Sequence, residues 1–83
     1  MPKRLTLIRK PGCHLCDDAR AVIDRVVAEL PSSSVVLEEQ DILQDAALFE
    51  RYAELIPVLL IDGEEHAHWR LDGARLEAAL TLP

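Results

Sequence analysis

The chain has little of what would mark a disulfide scaffold, a membrane protein or a nucleic-acid binder. Its 83 residues include only two cysteines, too few for the multi-disulfide framework that staples small secreted domains. Basic residues are the minority charge. The 9 Lys and Arg against 15 Asp and Glu give a formal net charge of −6, which argues against a partner that needs a basic surface, nucleic acid above all. The longest apolar run, Leu55 to Ile61, is seven residues and contains Pro57. It falls far short of the roughly 20 residues that cross a bilayer, so no membrane partner is expected. Met1 to Ile8 is basic without an extended apolar core and does not read as a signal peptide. Internal repeats and low-complexity segments are absent, and Pro31-Ser32-Ser33-Ser34 is only loop-sized. With 49% hydrophobic and 29% charged residues, the expectation is one soluble globular domain, residues 1–83, in the cytoplasm.

What the chain does have is concentrated in Cys13-His14-Leu15-Cys16. The two cysteines stand three apart, between a short apolar run (Leu5 to Ile8) and a long amphipathic one (Leu15 to Leu30). Residues three apart on a helix share a face at roughly 5–6 Å, a separation that a disulfide tolerates. A bridge between them closes too short a loop to staple a fold. The pair therefore reads as chemical, a dithiol/disulfide site, rather than structural.

The remaining pattern orders the elements. Arg4 to Arg9 has strand propensity, and Pro11-Gly12 ends it. Leu15, Ala19, Val22, Ile23, Val26 and Leu30 recur at helical spacing up to Pro31. Val35 to Leu37 begins a second strand, Asp41 is a candidate cap, and Ala46 to Leu55 is helix-like. Val58 to Ile61 is an apolar strand expected to be buried on both faces. Asp62-Gly63 is a two-residue hairpin signal, with Glu64 to Trp69 as the return strand. Asp72 caps a last helix through Leu80. The order β-α-β-α-β-β-α predicts an α/β fold, a four-stranded mixed sheet with helices on both faces.

That order, with Cys-X-X-Cys after the first strand and Ile56-Pro57-Val58 opening the third, resembles the thioredoxin fold, and in its short form the glutaredoxins. Lys10-Pro11-Gly12-Cys13-His14-Leu15-Cys16 is similar to the family's lysine, two residues and Cys-X-X-Cys. Ile56-Pro57-Val58 matches its cis-proline segment, and Leu59-Leu60-Ile61-Asp62-Gly63 the hairpin that follows. Two positions depart from the pattern: Arg70-Leu71 stand where the family usually has a glycine pair that holds glutathione, and Leu55-Ile56 stand where it usually has Thr-Val.

The resemblance implies a thiol–disulfide oxidoreductase in which Cys13 is the nucleophile and Cys16 the resolving thiol. Lys10, Ile56 and Pro57 would bind substrate, the backbone of Ile56 pairing with an extended chain. His14, when protonated, would stabilise the Cys13 thiolate and tune the potential. Arg9 and Lys10 add positive charge near Cys13, while Asp17 and Asp18 oppose it. Implied partners are protein or small-molecule disulfides, with glutathione or a thioredoxin-type reductase as electron donor and no tightly bound cofactor. Two other readings stay open. One is a metal or iron–sulfur carrier through Cys13 and Cys16, with His66 or His68 as further ligands. The other is a non-catalytic thioredoxin-fold module that binds a partner at Ile56-Pro57. The blander expectations are a solvated strand face for His66 and His68, a core or lid position over the last helix for Trp69, and a solvated acidic edge for Glu38, Glu39 and Asp41.

Overall fold

A computed structural model describes residues 2–82. The first strand, β1 (Lys3–Arg9), carries four consecutive buried residues, Leu5 to Ile8. A strand buried on both faces belongs in the middle of a sheet, and β1 lies there. It pairs in parallel with β2 (Val35–Asp41) and antiparallel with β3 (Val58–Ile61). β3 pairs antiparallel with β4 (Glu64–His68), giving the order β2-β1-β3-β4.

Alternation along β1 and β3 sorts the core into two layers. Leu5, Leu7 and Leu59 face α1 (His14–Ala28) and α3 (Gly73–Thr81), where they meet Ala19, Ile23, Val26 and Leu76. Ile8 and Val58 face the other way. They meet Ile42, in a single 3-10 turn (Ile42–Gln44), and Tyr52 of α2 (Ala46–Tyr52). The expected α/β architecture, a four-stranded mixed sheet with helices on both faces, is thus the one observed.

Several boundaries differ from the sequence pattern, each for a local reason. β2 begins at Val35 as expected, and its end, which the sequence pattern did not mark, falls at Asp41 because β1 offers an unbroken ladder from Lys3↔Val35 to Arg9↔Asp41. That ladder carries Glu38, Glu39 and Gln40, residues of poor strand propensity. α1 stops at Ala28, two residues early. Its last turn tightens, with the Glu29 N–H donating to Val26 O at 3.1 Å and the Leu30 N–H to Val27 O at 3.0 Å. α2 ends at Tyr52 instead of Leu55, and the chain turns there through Leu55 N–H to Tyr52 O at 2.8 Å. β3 is only half as buried as expected: Val58 and Leu59 are inaccessible, while Leu60 and Ile61 are partly exposed.

The Asp62-Gly63 hairpin turn forms as expected, with φ of 51° and 87°. Both central residues of the two-residue turn that matches strand twist require positive φ. Asp62 also accepts the Arg4 N–H at its carboxylate, at 2.9 Å.

Beyond the turn, β4 is irregular. Its pairing steps from Leu59↔Ala67 to Leu60↔Glu65, leaving His66 as a bulge. Simple alternation between His66 and His68 therefore does not hold. Both are half-buried rather than on a solvated face.

His66 sits low in the imidazole range, through burial and then through the Arg75 guanidinium on α3. It stays neutral in the folded chain where the unfolded chain, titrating near about 6.5, already binds a proton. Stability should therefore fall as pH drops through that window. Urea midpoints should decline more for wild type than for His66→Gln between about pH 7.5 and pH 5.5; equal slopes would refute this.

Truncating the double-layered core should be costly. Leu59→Ala is expected to lose about 2–5 kcal/mol in denaturant unfolding. The surface change Val36→Ala, at a residue 51% exposed, should stay within about 0.5 kcal/mol.

Candidate redox site

Cys13 is the N-cap of α1. Its backbone is extended (φ −94°, ψ 112°), and its carbonyl accepts the Asp17 N–H at 3.1 Å. Its sulfur occupies the position of an N-capping side-chain oxygen and accepts the Cys16 N–H at 3.2 Å. Gly12, at φ 75°, supplies the left-handed residue that turns the chain from β1 into this cap. Cys13 and Cys16 are paired as a disulfide with Cα atoms 5.1 Å apart. The two sulfurs differ in access: Cys13 is partly exposed, and Cys16 is completely buried.

The Ile56–Pro57 peptide is cis. Pro57 is buried against the start of β3, whose first residue pairs with Ile8. That register brings Pro57 to the end of β1 from which the 10–13 loop departs. Ile56 is partly exposed, and its backbone makes no hydrogen bond within the described chain. Lys10 and His14 are both exposed. Lys10 makes no ion pair with a described residue.

Arg9 departs from expectation. Rather than lending free positive charge to Cys13, it bonds Asp17 through one guanidinium nitrogen and Glu39 through the other, the latter at 3.1 Å. Glu39 also pairs with Arg20 at 2.9 Å, and Arg20 with Asp24 at 2.9 Å. The hydrogen bond to Asp17, and then Glu39, hold the Arg9 guanidinium above its ordinary range against the opposing effect of partial burial. Glu38 and Glu39 are exposed on the edge strand β2, as expected, and Glu39 is also tied into a charge network across β1, α1 and β2. Glu38 pairs with Arg4 at 3.5 Å, and Asp41 caps the 3-10 turn by accepting the Leu43 N–H at 2.8 Å.

Trp69 departs from the core position expected for it. It follows β4 at φ 63° and, at 51% exposed, is not in the core. Its indole N–H donates to Glu54 O at 3.0 Å, and its backbone N–H to Pro57 O at 2.8 Å. The sequence carries no signal for this placement, because both bonds bridge segments distant along the chain. His68 meets the indole edge-on, with ring centroids 4.8 Å apart. Among the described residues no three His, Cys, Asp or Glu side chains converge as a metal cluster would require. No helix is long and apolar enough to cross a membrane. A groove between α2 and the β3–β4 hairpin lies on the opposite sheet face and includes neither cysteine.

A Cys-X-X-Cys disulfide capping the first helix, at the same end of the sheet as the cis-proline that opens β3, defines a thioredoxin-fold protein with a redox-type dithiol site. Residues 4–81 match the family model described as Glutaredoxin-like domain (DUF836), and the chain belongs to that family. A solved protein from Nitrosomonas europaea is 28% identical and superposes with a TM-score of 0.82, over 98% of this chain and 94% of that one. A second, from X. campestris, is 33% identical with a TM-score of 0.74, over 92% and 93%. A thioredoxin from Halobacterium salinarum shares the fold at 18% identity and a TM-score of 0.67, over 94% of this chain and 71% of that one. An uncharacterized protein of Mycobacterium tuberculosis is 25% identical over 77 residues, 90% of this chain and 79% of its own length.

The Arg9–Asp17 pair neutralises a carboxylate one helical turn from Cys13. Arg9→Gln should free that negative charge, raise the Cys13 thiol pKa and make the disulfide less oxidising, because the reduced form loses thiolate stabilisation. Thiol alkylation rates across pH measure the first effect, and equilibration with a glutathione buffer the second. An unchanged alkylation profile would refute the coupling.

Proposed function

We propose that the protein is a thiol–disulfide oxidoreductase. The observation that carries this reading is the asymmetric Cys pair at a helix N-terminus, with an accessible Cys13 that accepts a backbone N–H and a buried Cys16. In the reduced protein, the Cys16 amide and the positive end of α1 favour the Cys13 thiolate. That thiolate attacks one sulfur of a substrate disulfide. A Cys13–substrate disulfide forms, the substrate S–S bond breaks, and the other substrate sulfur leaves as a thiolate that takes a proton from solvent. Cys16, deprotonated in turn, attacks Cys13 Sγ and expels the second substrate thiolate. The substrate disulfide gains two electrons, and the protein becomes the Cys13–Cys16 disulfide. Glutathione or a thioredoxin-type reductase returns the two electrons.

The unpaired N–H and C=O of Ile56 support substrate binding as a short strand beside Pro57. Lys10, exposed on the approach to Cys13, attracts negatively charged groups of the substrate or reductant. His14, at the first position of α1, contributes positive charge beside the thiolate when protonated. The cytoplasm is the compartment of this reading, where thiol reductants regenerate the dithiol.

Separating the two cysteines tests it. Cys13→Ser should abolish disulfide reduction. Cys16→Ser should retain the attack but accumulate a mixed disulfide visible by mass spectrometry. The oxidised wild type should lie about 2 Da below the reduced form. Full activity in Cys13→Ser would overturn the assignment.

A further inference from the structure

Trp69, which shares a groove with Leu15 of the Cys-X-X-Cys turn, has a backbone conformation that bulky residues rarely adopt. Such an outlier persists only where its surroundings hold it, and it points to a role at a site. Two bonds hold this one: the indole N–H to Glu54 O, and the backbone N–H to Pro57 O. Both acceptors lie in the 54–57 segment that delivers the cis-proline. The ring is thereby fixed next to Pro57 with half its surface in solvent.

The exposed ring forms one wall of a groove of about 180 Å³. Leu15 and Val22 of α1 form the facing wall, with Leu71 beside Trp69. Leu15 belongs to the Cys-X-X-Cys turn, so the groove begins at the first turn of α1, although neither cysteine lines it. Its volume is below the roughly 300–1,000 Å³ of sites that engulf a whole small ligand, and suits a single side chain. Of its two charged residues, Asp18 and Arg70, both are exposed, and their opposite signs cancel at the rim.

We infer that this groove is a docking pocket for an aliphatic or aromatic side chain next to the cysteine of a polypeptide disulfide, with Trp69 its specificity-determining wall. The inference rests on the proposed oxidoreductase reading and names the substrate class. A peptide laid as a strand against Ile56 carries its neighbouring side chain toward Trp69, which is tied to the adjacent Pro57. Glutathione matches the groove poorly. It has two carboxylates and an ammonium but no bulky apolar side chain, whereas the walls are apolar and the rim has no excess of positive charge. The backbone N–H groups of Trp69 and Arg70 donate to Pro57 O and His68 O. Those of Ala74 and Arg75 donate to the Asp72 carboxylate. These four are closed to a ligand carboxylate.

Reduction of two synthetic peptide disulfides, identical except for Leu or Ser beside the cysteine, tests the pocket in the full chain. The wild type should prefer the Leu peptide by about 10-fold or more in kcat/KM, the effect of burying one leucine-sized side chain. The preference should reside in KM. Trp69→Ala should bring the Leu-to-Ser ratio close to one, while Trp69→Phe should keep most of it. Trp69 is the only tryptophan, so titrating oxidised wild type with cysteine-free versions of the peptides gives a binding readout independent of turnover. The Leu version should shift the emission, and the Ser version should not.

A Leu-to-Ser ratio that survives Trp69→Ala, no preference in the wild type, or oxidised glutathione preferred over both peptides would overturn the pocket. Equal losses for both peptides in Trp69→Ala and Trp69→Phe would assign Trp69 a purely structural role and also overturn it. Failure of the oxidoreductase reading looks different: the wild type then reduces no disulfide, or Cys13→Ser remains active. The emission shift still decides whether the pocket binds.

Discussion

The pairing of Ile8 with Val58 is the constraint on which the site depends. β1 delivers the chain to the 10–13 loop, and β3 begins immediately after Pro57. Antiparallel registry between their ends brings Cys13 and the cis-proline to the same end of the sheet, although more than forty residues separate them. The registry is locked from both sides. Leu7 and Leu59 sit opposite each other in the α1–α3 layer, and Ile8 and Val58 in the α2 layer. A slip of one residue would exchange the layers and put every buried side chain on the wrong face. The two helical layers are therefore the means by which a small domain holds two distant segments at the same end of the sheet.

Within that frame the charges near Cys13 are arranged so that they largely answer one another. Arg9, Asp17, Glu39, Arg20 and Asp24 form one continuous network along the β1–α1–β2 side. Individually such surface pairs contribute little to stability. Their effect on the site is to remove both a competing cation and a competing anion from the neighbourhood of the thiol. The fixed dipoles of the helix N-terminus and the Cys16 amide are left as the local field. Lys10 and His14, both exposed, take no part in that network.

The parts of this protein legible from its sequence are those determined by neighbours along the chain. The Cys-X-X-Cys spacing, the helical period of α1, the Asp62-Gly63 turn and the apolar β1 each have a local signature, and each was found where that signature lies. The element order then carried the topology. What could not be read is determined across the fold. The full length of β2 comes from the ladder offered by β1. The bulge at His66 comes from accommodating β4 to β3, and it removes the alternation that would have aligned His66 with His68. The Arg9–Asp17–Glu39 network joins three elements, and the pose of Trp69 depends on acceptors at Glu54 and Pro57. Charge sign alone placed Arg9 as a helper of Cys13; geometry makes it the counterion of Asp17.

The Cys13–Cys16 link encloses only two residues, and both ends lie within one helical cap. Closing so short a loop removes little freedom from the unfolded chain, and the cap geometry already holds the sulfurs together. Making or breaking this bond therefore places little demand on the rest of the fold. With Cys16 buried, the outward footprint of the bond is confined to a few residues around Cys13.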